Sequence, residues 1–101
     1  MTVVRMWETR LDPAGNAAFW SAVGSTWHEM TSYDGFVGGE AFESAAGEPR
    51  AVIITRWRDE AAAGAAAGWE ATLDALSART GYGWLFDTVA LPASSGNADD
   101  R

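Results

Sequence analysis

The sequence predicts an α+β fold in the order β-α-β-β-α-β, with one antiparallel sheet carrying both helices on a single face. Three observations lead there. Apolar residues recur with a period of about 2 in some segments and about 3.6 in others, turn residues separate those segments, and a helix cap directly follows the third strand-like run. At 101 residues, with 48% apolar content, the chain is expected to form one domain over 1–91 around a modest core. Residues 92–101 read as a polar Gly, Ser and Asp tail with nothing to bury, and so as disordered.

Val3 to Leu11 alternates as a strand, with Val3, Arg5, Trp7, Thr9 and Leu11 on one face and Val4, Met6, Glu8 and Arg10 on the other. Asp12-Pro13-Ala14-Gly15 breaks it. From Pro13 to Met30 the pattern turns helical, and Phe19, Trp20, Val23, Trp27 and Met30 fall in one apolar arc. Thr31 to Gly35 supplies turn chemistry. Phe36 to Glu43 reads as a second strand in which Gly38-Gly39 marks a bulge or a close backbone approach.

A hairpin loop over Ser44–Arg50 leads into Ala51 to Trp57, the most strongly β-branched run of the chain. Its residues Ala51, Ile53, Thr55 and Trp57 share one parity. Asp59 is placed to cap a helix running to about Arg79, with Ala62, Ala66, Trp69, Leu73 and Leu76 as the apolar stripe. Tyr82 to Leu91 is expected as the last strand. Right-handed crossovers then give a ferredoxin-like sheet. Its far face, carrying Val4, Met6, Val52 and Ile54, needs a cover, and a second copy of the chain is the simplest one.

Composition narrows the function. Fourteen acidic against seven basic residues give a net charge of −7, which repels phosphate backbones, so nucleic acid is not an expected partner. The absence of cysteine excludes disulfides, thiolate metal sites and thiol nucleophiles, and fits a cytoplasmic protein. Neither a signal peptide nor an apolar window of about 18 residues is present, so no membrane association is expected. With a single histidine, no zinc site is expected. Gly38-Gly39 lacks the strand-to-helix turn of a phosphate loop.

Six tryptophans, Trp7, Trp20, Trp27, Trp57, Trp69 and Trp84, carry the functional signal. Each aromatic ring buries about 150–250 Å², so the set either fills the core or walls a cavity for a flat, apolar ligand. Trp7, Trp57 and Thr9 share the strand parity that points toward Trp20, Trp27 and Trp69 on the helices, and Phe36 opens the neighbouring strand. That combination suggests an aromatic box. His28 is the one side chain whose ordinary pKa places a proton switch near neutrality, although it lies at the edge of the apolar arc, where a bystander would also sit. Arg5, Arg56, Tyr33 and Asp34 are further polar candidates. A cation at Arg5 would hold a phenolate or carboxylate, unless it is spent on Glu8, Glu40 or Asp87.

The chain resembles the antibiotic biosynthesis monooxygenase family of the dimeric α/β-barrel superfamily. The resemblance spans Val3 to Leu91 and rests on Asp12-Pro13-Ala14 after strand one, on Gly35-Phe36 opening strand two, and on Ile53-Ile54-Thr55-Arg56-Trp57-Arg58-Asp59-Glu60-Ala61. It implies a homodimer and, in some members, oxidation of polycyclic aromatic polyketides by molecular oxygen without metal or flavin. Related haem-degrading members place an Asn on strand one and a Trp and a His on the second helix. The corresponding positions here are Trp7 or Thr9, and the neighbourhoods of Ala66 and Leu76, so no haem is expected.

The expectation is a cofactor-free monooxygenase acting on a small phenol- or anthrone-type aromatic substrate and molecular oxygen. His28, Trp57 and Thr9 are its catalytic candidates. Trp7, Trp20, Trp27, Trp69, Phe36, Arg5 and Tyr33 are its binding candidates. A non-catalytic binding protein and a cyclase or isomerase of the same fold are the alternatives.

Overall fold

Strand parity decides which side of the sheet becomes the core. In the computed structural model, which describes residues 2–66 and 68–89, β1 (Val3–Arg10) buries Val3, Trp7 and Thr9 on one face. Its neighbour β3 (Arg50–Trp57) buries Ala51, Ile53, Thr55 and Trp57 on the same side. These two β-branched strands form the centre of the sheet. The outer strands are β2 (Phe36–Glu43) beside β3 and β4 (Tyr82–Asp87) beside β1, giving the order β2-β3-β1-β4 with every pairing antiparallel. This is the ferredoxin-like arrangement.

After β1 the Asp12 carboxylate accepts a hydrogen bond from the Ala14 N–H at 3.0 Å and caps a short 3-10 turn over Pro13–Gly15. The turn runs on into α1 (Asn16–Met30), which buries Phe19, Val23, Thr26 and Met30 and holds Trp20 and Trp27 partly buried against the core. In β2, Phe36 pairs with Trp57 and Gly38 with Arg56, so Val37 is the extra residue of a bulge. Past it the strand runs so close to β3 that a β-carbon on Gly39 would collide with the Ile54 carbonyl oxygen.

The second helical region differs from the expected continuous helix to Arg79. It consists of α2 (Glu60–Ala65) and α3 (Trp69–Asp74), and Ala66 and Gly68 lie outside both. Ala66 leaves helical geometry at φ −97°, ψ 2°, and both Ala66 and Trp69 bond back three residues instead of four. A helix is held mainly by what its apolar face buries. Here α2 offers only the methyls of Ala62 and Ala63, while α3 brings Trp69 and Leu73. Gly64, inside α2, weakens that helix further, by about 1 kcal/mol relative to alanine. Leu76, expected in the stripe, is exposed beyond the end of α3. At the other terminus β4 stops at Asp87, and Leu91 and the tail 92–101 lie outside the described residues.

Asp59 caps α2, its carboxylate accepting from the Ala62 N–H at 2.9 Å. That bond, ahead of the Arg58 contact, holds the Asp59 carboxyl below its ordinary value. A lowered folded value stabilises the fold above the unfolded aspartate pKa of about 3.9, and the contribution disappears as pH falls through the folded value. Asp59→Ala is therefore expected to lower the melting temperature at pH 7, and the difference from the parent chain should close in acid. A gap that persists unchanged below the folded value would contradict this.

The outer face of the sheet is apolar at its centre. Met6 lies between Ile54 and Trp84, Val4 beside Phe86, and Val52 beside Phe42. Phe42, Trp84 and Phe86 are all exposed. Ion pairs of Arg56 with Glu40 (2.8 Å) and Arg50 with Glu8 (3.1 Å) border this patch.

Candidate functional site

Five of the six indoles pack against aromatic neighbours, and Trp84 stands on the outer face. Trp7 lies parallel to Phe19 at 6.5 Å and meets Trp69 edge-on at 5.8 Å, and Phe19 in turn meets Trp20 at 5.2 Å. A second run joins Trp27 to Phe36 at 6.1 Å and Phe36 to Trp57 at 5.2 Å. Trp57 is fully buried, and its Nε1–H donates to the Thr55 hydroxyl at 2.9 Å. In place of the expected aromatic box the structure has an interlocked aromatic core. The reason lies in the residues around the rings. Ala51, Thr55, Ala62, Ala63 and Ala66 are small, so the indoles supply bulk between sheet and helices that these side chains cannot.

An open cleft of about 600 Å³ lies between the inner face of the sheet and α2, lined by Arg5, Leu85, Glu60, Ala61, Ala63 and Gly64. Arg5 stands in its wall. Its Nε–H and Nη2–H donate to the two carboxylate oxygens of Glu70 on α3, at 2.6 and 2.8 Å. This two-pronged geometry fixes the guanidinium plane. The hydrogen bonds it donates to Glu70 hold the arginine above its ordinary pKa, against the opposing effect of burial. Glu70 thus replaces Glu8, Glu40 and Asp87 as the partner of Arg5.

Glycines on β4 make room for this arrangement. A β-carbon on Gly83 would collide with the Arg5 guanidinium, and one on Gly81 would lie 2.5 Å from the Trp7 ring. Gly81 is also tied to α3, its N–H donating to the Asp74 carboxylate at 2.6 Å. Sequence reasoning missed both Glu70 and Gly83. For Glu70 a signal exists: on a helical wheel it falls about 40° past Ala66, at the margin of the apolar stripe.

On the other side of α2 a cleft of about 360 Å³ is bounded by Tyr33, Asp34, Arg58, Ala61, Ala62, Ala65 and Ala66. Arg58 pairs there with Asp34 at 3.0 Å, which lowers the Asp34 carboxyl below its usual range. Thr9 borders a third cleft, of about 390 Å³, with Glu8, Arg10, Arg79, Thr80 and Tyr82, but its hydroxyl already donates to the Arg79 carbonyl at 3.0 Å. Trp69 borders a fourth together with Tyr33.

The expected site residues therefore do not converge. Arg5 faces the sheet-side cleft, Tyr33 the opposite one and Thr9 the end of the sheet, while Trp7, Trp57 and Phe36 belong to the core. His28 is exposed on α1 and lines none of these clefts. Among the described residues, no three His, Cys, Asp or Glu side chains are grouped to hold a metal ion, and no helix is long and apolar enough to cross a membrane.

No protein-family model matches the chain, and no curated protein matches it. Solved structures do. A point variant of SnoaB, a cofactor-independent oxygenase from Streptomyces nogalater, is 23% identical over 89% of this chain and 95% of its own, with a TM-score of 0.76. Rv0793 from Mycobacterium tuberculosis is 18% identical over 90% of this chain and 98% of its own, at 0.77. A protein named as an antibiotic biosynthesis monooxygenase is 16% identical over 89% of this chain and 100% of its own, at 0.72. At these identities the likeness establishes a common fold.

Proposed function

We propose, from a fold shared with a cofactor-independent oxygenase and a cation set in the wall of a cleft, that this chain oxygenates a planar phenol- or anthrone-type molecule without a bound cofactor. The observation that carries the proposal is Arg5, held rigidly by Glu70 beside an opening lined otherwise by Leu85, small side chains and Glu60. Ground-state oxygen reacts with an electron-rich anion. The protein's task is then to admit the neutral ring, donate a hydrogen bond to the oxygen on which charge develops and limit water at the reacting carbon. For an anthrone the ring methylene becomes a carbonyl. One oxygen atom becomes the carbonyl oxygen on that carbon, the other leaves as water with the two methylene hydrogens, and the four electrons come from the same carbon.

The pure protein is expected to consume oxygen when incubated with anthrone in air and to yield no quinone under argon. Conversion under argon would indicate a cyclase or isomerase instead. Binding without turnover in air would favour a non-catalytic module, the reading that the mutual engagement of Arg5 and Glu70 supports. His28→Ala is expected to leave turnover unchanged, since that side chain lies on none of the clefts.

The proposed assembly is a homodimer joined through the outer face of the sheet, where Ile54, Met6 and Trp84 lie side by side. Ile54→Asp places a charge in the middle of this patch and is expected to turn a dimer into a monomer in analytical ultracentrifugation. A parent chain that sediments as a monomer would contradict the proposed assembly.

A further inference from the structure

The cleft carries a charge pattern that selects among flat ligands. Nε and Nη2 of Arg5 are occupied by Glu70, whereas Nη1 makes no hydrogen bond among the described residues and retains donors for a guest. The positive charge is nevertheless cancelled. Arg5 and Glu70 have side chains only 29% and 16% exposed, so water screens their interaction incompletely. Glu60 borders the same cleft and adds a second carboxylate, leaving one guanidinium against two acidic groups. The chain as a whole, at −7, adds to the repulsion of anions.

We infer that Glu70 is a specificity-determining residue that makes the cleft accept a neutral carbonyl or phenolic oxygen at Arg5 Nη1 and reject carboxylates. Without Glu70 the guanidinium would be an ordinary carboxylate receptor. With it, a carboxylate entering the cleft meets a cation already neutralised by a fixed two-pronged bond. A neutral oxygen needs only one N–H donor and brings no charge against Glu60 or Glu70. The inference rests on the reading of this cleft as the ligand site.

The test is calorimetric titration of the full chain with two tricyclic probes, anthrone and anthracene carboxylate. The parent chain is expected to bind anthrone at least ~10-fold more tightly, with the ratio shrinking in about 1 M salt, where the Debye length falls to about 3 Å. Glu70→Gln is expected to narrow or invert the ratio, and Glu70→Asp, which keeps the charge, to preserve it. Equal or tighter binding of the carboxylate by the parent chain would overturn the inference. So would a ratio indifferent to both salt and Glu70→Gln, since exclusion would then be steric. The salt series needs no variant, so misfolding of Glu70→Gln does not remove the test. Failure of both probes to bind would remove the cleft as the site together with its selectivity. Selective binding without oxygen uptake would sink the oxygenase reading and leave this one standing, and oxygen uptake with indiscriminate binding would do the reverse.

Discussion

Trp57→Ala is expected to cost about 3–5 kcal/mol of folding stability, a large share of the roughly 5–15 kcal/mol available to a domain. The ring is completely buried at the end of the central strand β3, packs edge-on against Phe36 at 5.2 Å, and donates to Thr55. Truncation leaves a cavity and removes the donor to a buried hydroxyl. Refilling the space is difficult, because Ala62 and Ala63, which α2 contributes to the same core, are short and belong to a helix. Trp57→Phe, which keeps much of the volume, should cost less. Urea denaturation measures both, and a Trp57→Ala loss under about 1 kcal/mol would contradict the interlocked core.

Gly39→Ala is expected to destabilise the fold as well, by a smaller amount. A methyl there would strike the Ile54 carbonyl oxygen and lie 2.9 Å from the Trp27 ring and 3.2 Å from the Thr55 α-carbon. Two of these obstacles are backbone of β3, which is paired on both sides and cannot retreat. Overpacking of this kind costs about 1–3 kcal/mol. Gly24→Ala is the matched contrast. Nothing lies within 4 Å of the added carbon inside α1, so the exchange should raise stability, by up to about 1 kcal/mol. A denaturation midpoint that rose for Gly39→Ala, as it should for Gly24→Ala, would refute the close approach of β2 to β3.

The sheet was legible in the sequence because side-chain direction along a strand depends on parity alone. Val3, Trp7 and Thr9, and Ala51, Ile53, Thr55 and Trp57, all turn inward as their spacing requires. The break between α2 and α3 was not legible. An alanine run is the strongest local signal for helix, and only the tertiary packing reveals how little Ala62 and Ala63 have to bury. The pairing of Arg5 with Glu70 was hidden for a different reason. The two residues are 65 positions apart, and the bond depends on where α3 docks over the sheet. The tryptophans show the converse difficulty. Composition reported their number correctly, but whether rings enclose space or fill it depends on the size of every neighbour.

Ala61 borders the clefts on both flanks of α2, and it is exposed. Its methyl contributes little to the fold, so this position is free to change without disturbing the aromatic interior. A longer side chain there would narrow both openings at once, and glycine would widen both. On the proposed reading of the sheet-side cleft, the room left for a guest is set in part by this one solvent-facing alanine, a setting that selection or design can adjust in steps of a single carbon.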